Sequence, residues 1–257
     1  MNSRAPIRVV VAFTMTVIMV LATSVPLRAQ NPGSDGLDTQ IFDTRVLDAQ
    51  VKDALQNCYQ CHGVGGVSVI PTRPNIAGQK SEYIRRQLLA FKKTASQTPQ
   101  DRDGDVDDGP KDTTILVRTD PVMEHMAAGL PDQLVAPIAD AVSQLACDGG
   151  APKAARKNPP LRPPVRPRAA NACVVCHGAD GIGVQDQVPN LAGQHRAYLR
   201  RQLLLIRETA WGAQPREGEA WRNHPIMEAK VARLKIADID AVARYYAALD
   251  CRGDSRP

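Results

Sequence analysis

Two pentapeptides in this 257-residue chain carry residue types and spacing that can do chemistry. CYQCH brings together Cys58, Cys61 and His62, and CVVCH brings together Cys173, Cys176 and His177. C-x-x-C-H is the attachment motif of c-type haem. On one helical turn the two thiols reach the two vinyl groups of the macrocycle, and the imidazole of the next residue is aimed at the iron. With six cysteines and five histidines, chance gives about 0.003 such motifs, and the chain has two. A zinc ribbon needs four ligands per site, and a thioredoxin-like C-x-x-C wants a preceding strand and no duplication. The reading is therefore two covalently attached haem c groups, with Cys58, Cys61, Cys173 and Cys176 as attachment points and His62 and His177 as iron ligands.

A His-ligated haem iron has a sixth position, and its occupant separates electron transfer from chemistry on a substrate. Met123 and Met227 both stand in the register Arg-x4-Met-x3-(Ala or Val)-x2-Leu, after His62 and His177 respectively. Methionine is also an adaptable core filler, but equivalent placement in two copies favours iron ligation. At the first site Met126 and His125 stand nearby as substitutes.

These residues lie on a duplicated framework. PNIAGQKSEYIRRQLLAFKKTA (74–95) and PNLAGQHRAYLRRQLLLIRETA (189–210) share 13 of 22 positions at an offset of 115, which also maps Cys58 onto Cys173. Further along, Arg118, Met123, Leu130 and Cys147 match Arg222, Met227, Leu234 and Cys251 at an offset of 104, so the first copy carries an 11-residue insertion. Its simplest place is the polar stretch 96–112. DRDGDVDDGPKD (101–112) resembles a calcium loop but lacks the terminal glutamate of that pattern, and reads as a solvated acidic insertion. Between the copies, 151–168 holds six prolines and six Lys or Arg without an acid, a semi-rigid extended connector. Apolar spacing of three and four predicts helices over Ser81–Thr94, Pro131–Ala146, Arg196–Thr209 and Ile236–Asp250. No alternating strand is evident, so the predicted class is all-α. The domains are 41–147 and 169–251, joined by a basic proline-rich linker over 148–168.

The N-terminus reads as a secretory signal over residues 1–29: Arg4 and Arg8 precede an uncharged run from Val9 to Leu27. The alternative, an uncleaved anchor, has nearly enough apolar length but no stop-transfer pattern. Export through the general secretory route gives a periplasmic protein in an oxidising compartment, where cysteines must be bonded, ligated or covalently occupied. The formal net charge of +5 becomes +2 without Arg4, Arg8 and Arg28, and the linker contributes +6, so the two domains together are net acidic. Nucleic-acid binding has no support from stacking motifs and contradicts the export signal. Aromatics are only 4% of the chain; two large flat haems would fill the cores that so few aromatic side chains leave open, and the haem-free chain is expected to fold poorly.

The paired C-x-x-C-H domains, the PNLAGQ-like segments, the Tyr and QL of the following helix and the late Met resemble the diheme class I cytochromes c of the cytochrome c4 type. The resemblance covers nearly all the chain after the signal. It implies two tandem cytochrome c domains with neighbouring haems, and a proline carbonyl twelve residues after each ligating histidine, at Pro74 and Pro189, accepting the imidazole N–H. It implies a soluble or peripherally membrane-associated carrier shuttling single electrons between partners such as a membrane oxidoreductase, a terminal oxidase or a dehydrogenase, and not an enzyme. The alternatives are a catalytic diheme cytochrome of the thiosulfate-oxidising type and an electron-accepting subunit of a dehydrogenase complex.

The chain also departs from that pattern. The prolines from Pro159 to Pro167 leave little room for a long first helix in the second domain, and Tyr245 and Tyr246 are replaced by Ala141 and Val142 in the first. Cys147 and Cys251 are extra cysteines at equivalent helix ends; a disulfide staple between domains and a cysteine ligand to iron both remain open. Arg118, Arg222, Tyr83 and Tyr198 are candidates for binding haem propionates, with surface or core roles as the alternative.

Overall fold

The computed structural model describes residues 35–96, 117–150, 164–214, 216 and 218–252, with side chains in the first segment described from Leu47 onward. The signal segment, the acidic insertion 101–112 and most of the linker lie outside the described residues. The chain divides into Met1–Ile41 and a compact unit, Phe42–Pro257, that holds both repeats.

In the first repeat α1 (Asp35–His62) ends on the CYQCH motif, followed by a 3-10 turn over Val64–Gly66. Then come α2 (Ser81–Ser96), β1 (Arg118–Thr119), α3 (Pro121–Ala128) and α4 (Asp132–Gln144). The second repeat has a 3-10 turn over Arg168–Ala170, α5 (Val174–His177), α6 (Arg196–Ala210), β2 (Trp221–Arg222), α7 (Pro225–Val231) and α8 (Ile236–Ala247). The predicted helices all form, each within a few residues of its expected bounds. Where the first repeat places a 28-residue helix, the second has only the four residues of α5. The proline-rich approach cannot supply helix-interior N–H groups, and the chain runs extended at Pro167 before the 3-10 turn.

Each repeat buries its own core. Val51, Leu55, Leu134, Ile138 and Val142 form one; Ala170, Leu199, Val242, Ala243, Tyr245, Tyr246 and Leu249 lie in the other. In both, the Gln-Leu-Leu helix (α2 or α6) packs on the short methionine-bearing helix and on the terminal helix.

The repeats meet through equivalent residues, as around a local two-fold axis. β1 and β2 pair antiparallel with Arg118 opposite Arg222. The expectation of no strand is corrected to this extent: the ladder is two residues long, too short to show alternation in sequence. Cys147 and Cys251 form a disulfide with 6.1 Å between α-carbons, within the usual range for a bridge. The PN-AGQ loops supply six further hydrogen bonds. Asn75 N donates to Gln194 Oε1 (2.9 Å), Asn75 Nδ2 to Gly193 O (3.2 Å) and Gln194 Nε2 to Asn75 O (2.8 Å). The mirrored set is Asn190 N to Gln79 Oε1 (2.9 Å), Asn190 Nδ2 to Gly78 O (3.1 Å) and Gln79 Nε2 to Asn190 O (3.0 Å). The motif repeated in sequence is thus largely a docking device: its side chains satisfy the other domain's backbone.

Its glycine has a steric reason. Gly193 has φ +68°, and a Cβ there would stand 2.9 Å from the Cys251 Cβ. Gly193→Ala is expected to cost about 1–2 kcal/mol for the left-handed backbone and more for displacing the bridge. Gly212, at φ +84° with open space around a Cβ, isolates the backbone part. Denaturant midpoints that fall equally in the two variants would show that close approach to the bridge is unimportant.

Candidate metal centres

His62 closes α1 and His177 closes α5. Their burial, at 8% and 6% exposure, leaves little contact with water. His62 Nδ1 lies 2.9 Å from the Pro74 carbonyl and His177 Nδ1 lies 3.1 Å from that of Pro189. The carbonyl can only accept, so the ring proton sits on Nδ1 and the Nε2 lone pair is left for a metal. Burial pushes both imidazoles below their ordinary pKa, with Arg73 and Arg118 adding to it at His62 and Arg222 at His177, against the raising effect of the carbonyl bond. Both rings are therefore neutral at pH 7, the form that ligates.

The four C-x-x-C thiols are outside any disulfide, and burial raises the pKa of Cys58 and Cys173. By contrast Cys147 and Cys251 are consumed by their mutual bridge. This closes the choice left by the sequence, since neither sulfur is free to ligate iron.

Met123 and Met227 are each the third residue of a short helix that opens on proline, α3 and α7. Proline at the first helical position loses no hydrogen bond and presets φ. The residue before it caps the helix: the Met123 amide donates to Asp120 Oδ1 (3.3 Å), and the Met227 amide donates to His224 Nδ1 (3.4 Å). Glu124 and Glu228 return the bond, accepting from the Asp120 and His224 amides at 3.0 and 2.7 Å. Asp120 is close enough to act electrostatically on His62, and His177 on His224. Burial first, then Arg222, push His224 down to about 4, so it caps as a neutral ring. Met123 and Met227 are half-buried, whereas Met126 and His125 are exposed, so α3 places Met123 in the position equivalent to Met227.

Arg118 and Arg222 are neither surface residues nor ordinary core. They are 9% and 8% exposed and face each other across the β1–β2 ladder. Arg118 donates to Tyr198 Oη (2.8 Å) and Gln202 Oε1 (3.2 Å) of the other repeat and to Gln87 Oε1 of its own. Arg222 donates to Gln202 Oε1 (2.7 Å) of its own repeat and to Tyr83 Oη (3.4 Å) of the other. Burial alone would raise the Tyr83 pKa, but Arg222 and Arg118 outweigh it and hold the phenol below its ordinary value. Gln87 and Gln202 also belong to this cluster; their identity in the two RRQLL blocks is the sequence signal for them.

The surroundings fit a large group that is apolar in its body and anionic at its rim. Among the described residues the two buried guanidinium groups hydrogen-bond neutral partners, and buried charge calls for counter-charge. Gln87 Nε2 at the same cluster and the Tyr246 hydroxyl beside Cys173 are buried without a hydrogen-bond partner among the described residues. Histidine Nε2, paired thiols and a half-buried thioether are the donor set of a c-type haem.

Comparison with known proteins identifies the family. The Cytochrome c family model matches residues 168–250. A cytochrome c4 of Stutzerimonas stutzeri is 33% identical over 192 residues, covering 73% of this chain and 82% of that protein. A thiosulfate dehydrogenase electron acceptor of Thiomonas intermedia is 28% identical over 200 residues, 75% of this chain and 78% of that one. The fold is similar to that of reduced recombinant cytochrome c4 from Pseudomonas stutzeri, with a TM-score of 0.52 and 27% identity over 78% of this chain and 97% of that chain. Two C-x-x-C-H motifs on a duplicated helical frame, with this degree of likeness, place the chain in the cytochrome c4 family, diheme c-type cytochromes with covalently bound haem that carry electrons.

Proposed function

We propose that this protein is a periplasmic carrier that shuttles single electrons between respiratory redox partners. Cys58, Cys61, His62 and Met123 hold one haem, and Cys173, Cys176, His177 and Met227 hold the other. When bound, haem c supplies a reversible one-electron iron couple. The chain's own residues set its environment: the Pro74 and Pro189 carbonyls fix the imidazoles, the capped α3 and α7 present the thioethers, and Arg118 and Arg222 offer buried positive charge to the carboxylates. Domain limits of 41–147 and 169–251 suit this reading, because each span contains one complete donor set.

The observation that carries the proposal is the equivalent construction of both repeats, each with a buried imidazole bonded to a proline carbonyl and a half-buried methionine on a capped, proline-started helix. An iron held by both residues would have no position left for a substrate, and a methionine ligand raises the potential. The disulfide speaks against the catalytic alternative, since it removes the cysteine such an iron would use. It also suits an oxidising compartment, as does the signal-like N-terminus. A second reading, the electron-accepting partner of a thiosulfate dehydrogenase, is favoured by the relative named for that role. It differs in donor, not in the sites.

The test uses the purified holoprotein. Mass measurement is expected to find two covalent haems, and carbon monoxide is expected to bind neither reduced haem quickly at neutral pH. Rapid binding at one haem would overturn the carrier reading in favour of a catalytic site.

A further inference from the structure

The two sites differ in what holds the methionine helix. In the first domain the cap is a carboxylate, 15% exposed. Asp120 Oδ1 takes the Met123 amide and lies 4.0 Å from Arg73 Nη1, while Oδ2 lies 3.4 Å from Nη1 of Arg201 on α6 of the other domain. One carboxylate thus links the N-terminus of α3 to the facing domain. An anion at a helix start is favourable in itself, and here a bonded guanidinium fixes it in place.

Among the described residues the cap of the second domain's methionine helix has no such ion pair. Arg86 is the equivalent of Arg201, but His224 stands where the first domain has Asp120, and its Nδ1 lone pair is used on the Met227 amide. Arg73 also has no counterpart, because Val188 occupies its place. Among the described residues no ion pair ties α7 to α2.

We infer that Arg201 is a positioning residue for Met123, acting across the domain seam through Asp120, and that Met227 is held without this dependence. The inference rests on the proposed ligation by Met123. The β1–β2 ladder precedes both helices alike; the difference lies at the cap, where losing the Arg201 contact frees the Asp120 carboxylate and loosens α3, whereas the His224 cap of α7 has no ion pair to lose among the described residues.

The test compares Arg201→Gln, Arg201→Lys, Arg86→Gln and Met126→Ala as holoproteins. The readouts are the two redox midpoints and the two sets of ring-shifted proton resonances of the ligated methionines in the reduced state. Arg201→Gln is expected to move the first domain's midpoint and to lose that domain's methionine signal at lower urea, with the second domain unchanged. Arg201→Lys should restore most of the effect, and Arg86→Gln should leave both sites as they were. If Arg201→Gln moves neither site, or both equally, the inference fails. Met126→Ala separates the two levels, because Met126 stands one turn from Met123 and can replace it in a Met123 variant: two methionine signals surviving in Met126→Ala uphold the ligation by Met123, whereas one lost would remove the ligation and the inference together.

Discussion

Replacing Met227 with Ala is expected to lower the second haem's potential and open its iron. The thioether favours the reduced iron, and the substitution deletes it while leaving His177 and its Pro189 bond in place. A fall of more than about 59 mV, one tenfold step in a one-electron equilibrium, is the expected size, with carbon monoxide then binding the reduced protein rapidly. The second site gives the cleaner result because α7 (Pro225–Val231) holds no other methionine or histidine. α3 carries His125 and Met126 one turn or less from Met123, and either can move in when Met123 is removed. The helix itself should survive, since its cap uses the backbone of residue 227 and not the side chain. An unchanged midpoint and spectrum in Met227→Ala would remove this residue from the ligand set.

The sequence made the attachment chemistry plain because that chemistry is local. Cys173, Cys176 and His177 must lie within one turn to do their work, and Leu199, Leu203 and Ile206 mark α6 by simple periodicity. The seam was hidden for the opposite reason. Gln194 serves Asn75, 119 residues away, and no window along the chain registers such a pairing. Repetition also misleads: an identical Asn or Gln in two copies looks like a requirement of each domain's own fold, yet these side chains cross to the other copy. Arg118 and Arg222 show the same ambiguity, since their register with methionine was visible but their meeting on one ladder was not. The aromatic deficit becomes concrete at Val142, buried where the second domain has Tyr246.

The largest stability effect is expected from the bridge. In the chain-entropy account, linking residues separated by about 100 positions removes about 4.7 kcal/mol of unfolded-state freedom; the Cys147–Cys251 separation is 104. Cys147→Ser with Cys251→Ser should therefore lower the stability of the holoprotein by several kcal/mol, read as a fall in the guanidinium midpoint. The seam does not vanish with it, because the Asn75–Gln194 and Asn190–Gln79 bonds draw on other atoms. Those bonds are sensitive in a different way. Gln194→Ala leaves the half-buried amide and carbonyl of Asn75 without their partners, at up to about 1 kcal/mol each, the low end of the range for buried groups. With the bridge intact, the loop ends stay close and much of that loss is expected as local opening. Without the bridge, the same substitution should part the domains. A double-mutant cycle between Gln194→Ala and the serine pair then measures the coupling directly. A serine pair that costs no more than an ordinary surface change, within about 0.5 kcal/mol, would show that the hydrogen-bonded loops and the arginine ladder hold the domains together unaided.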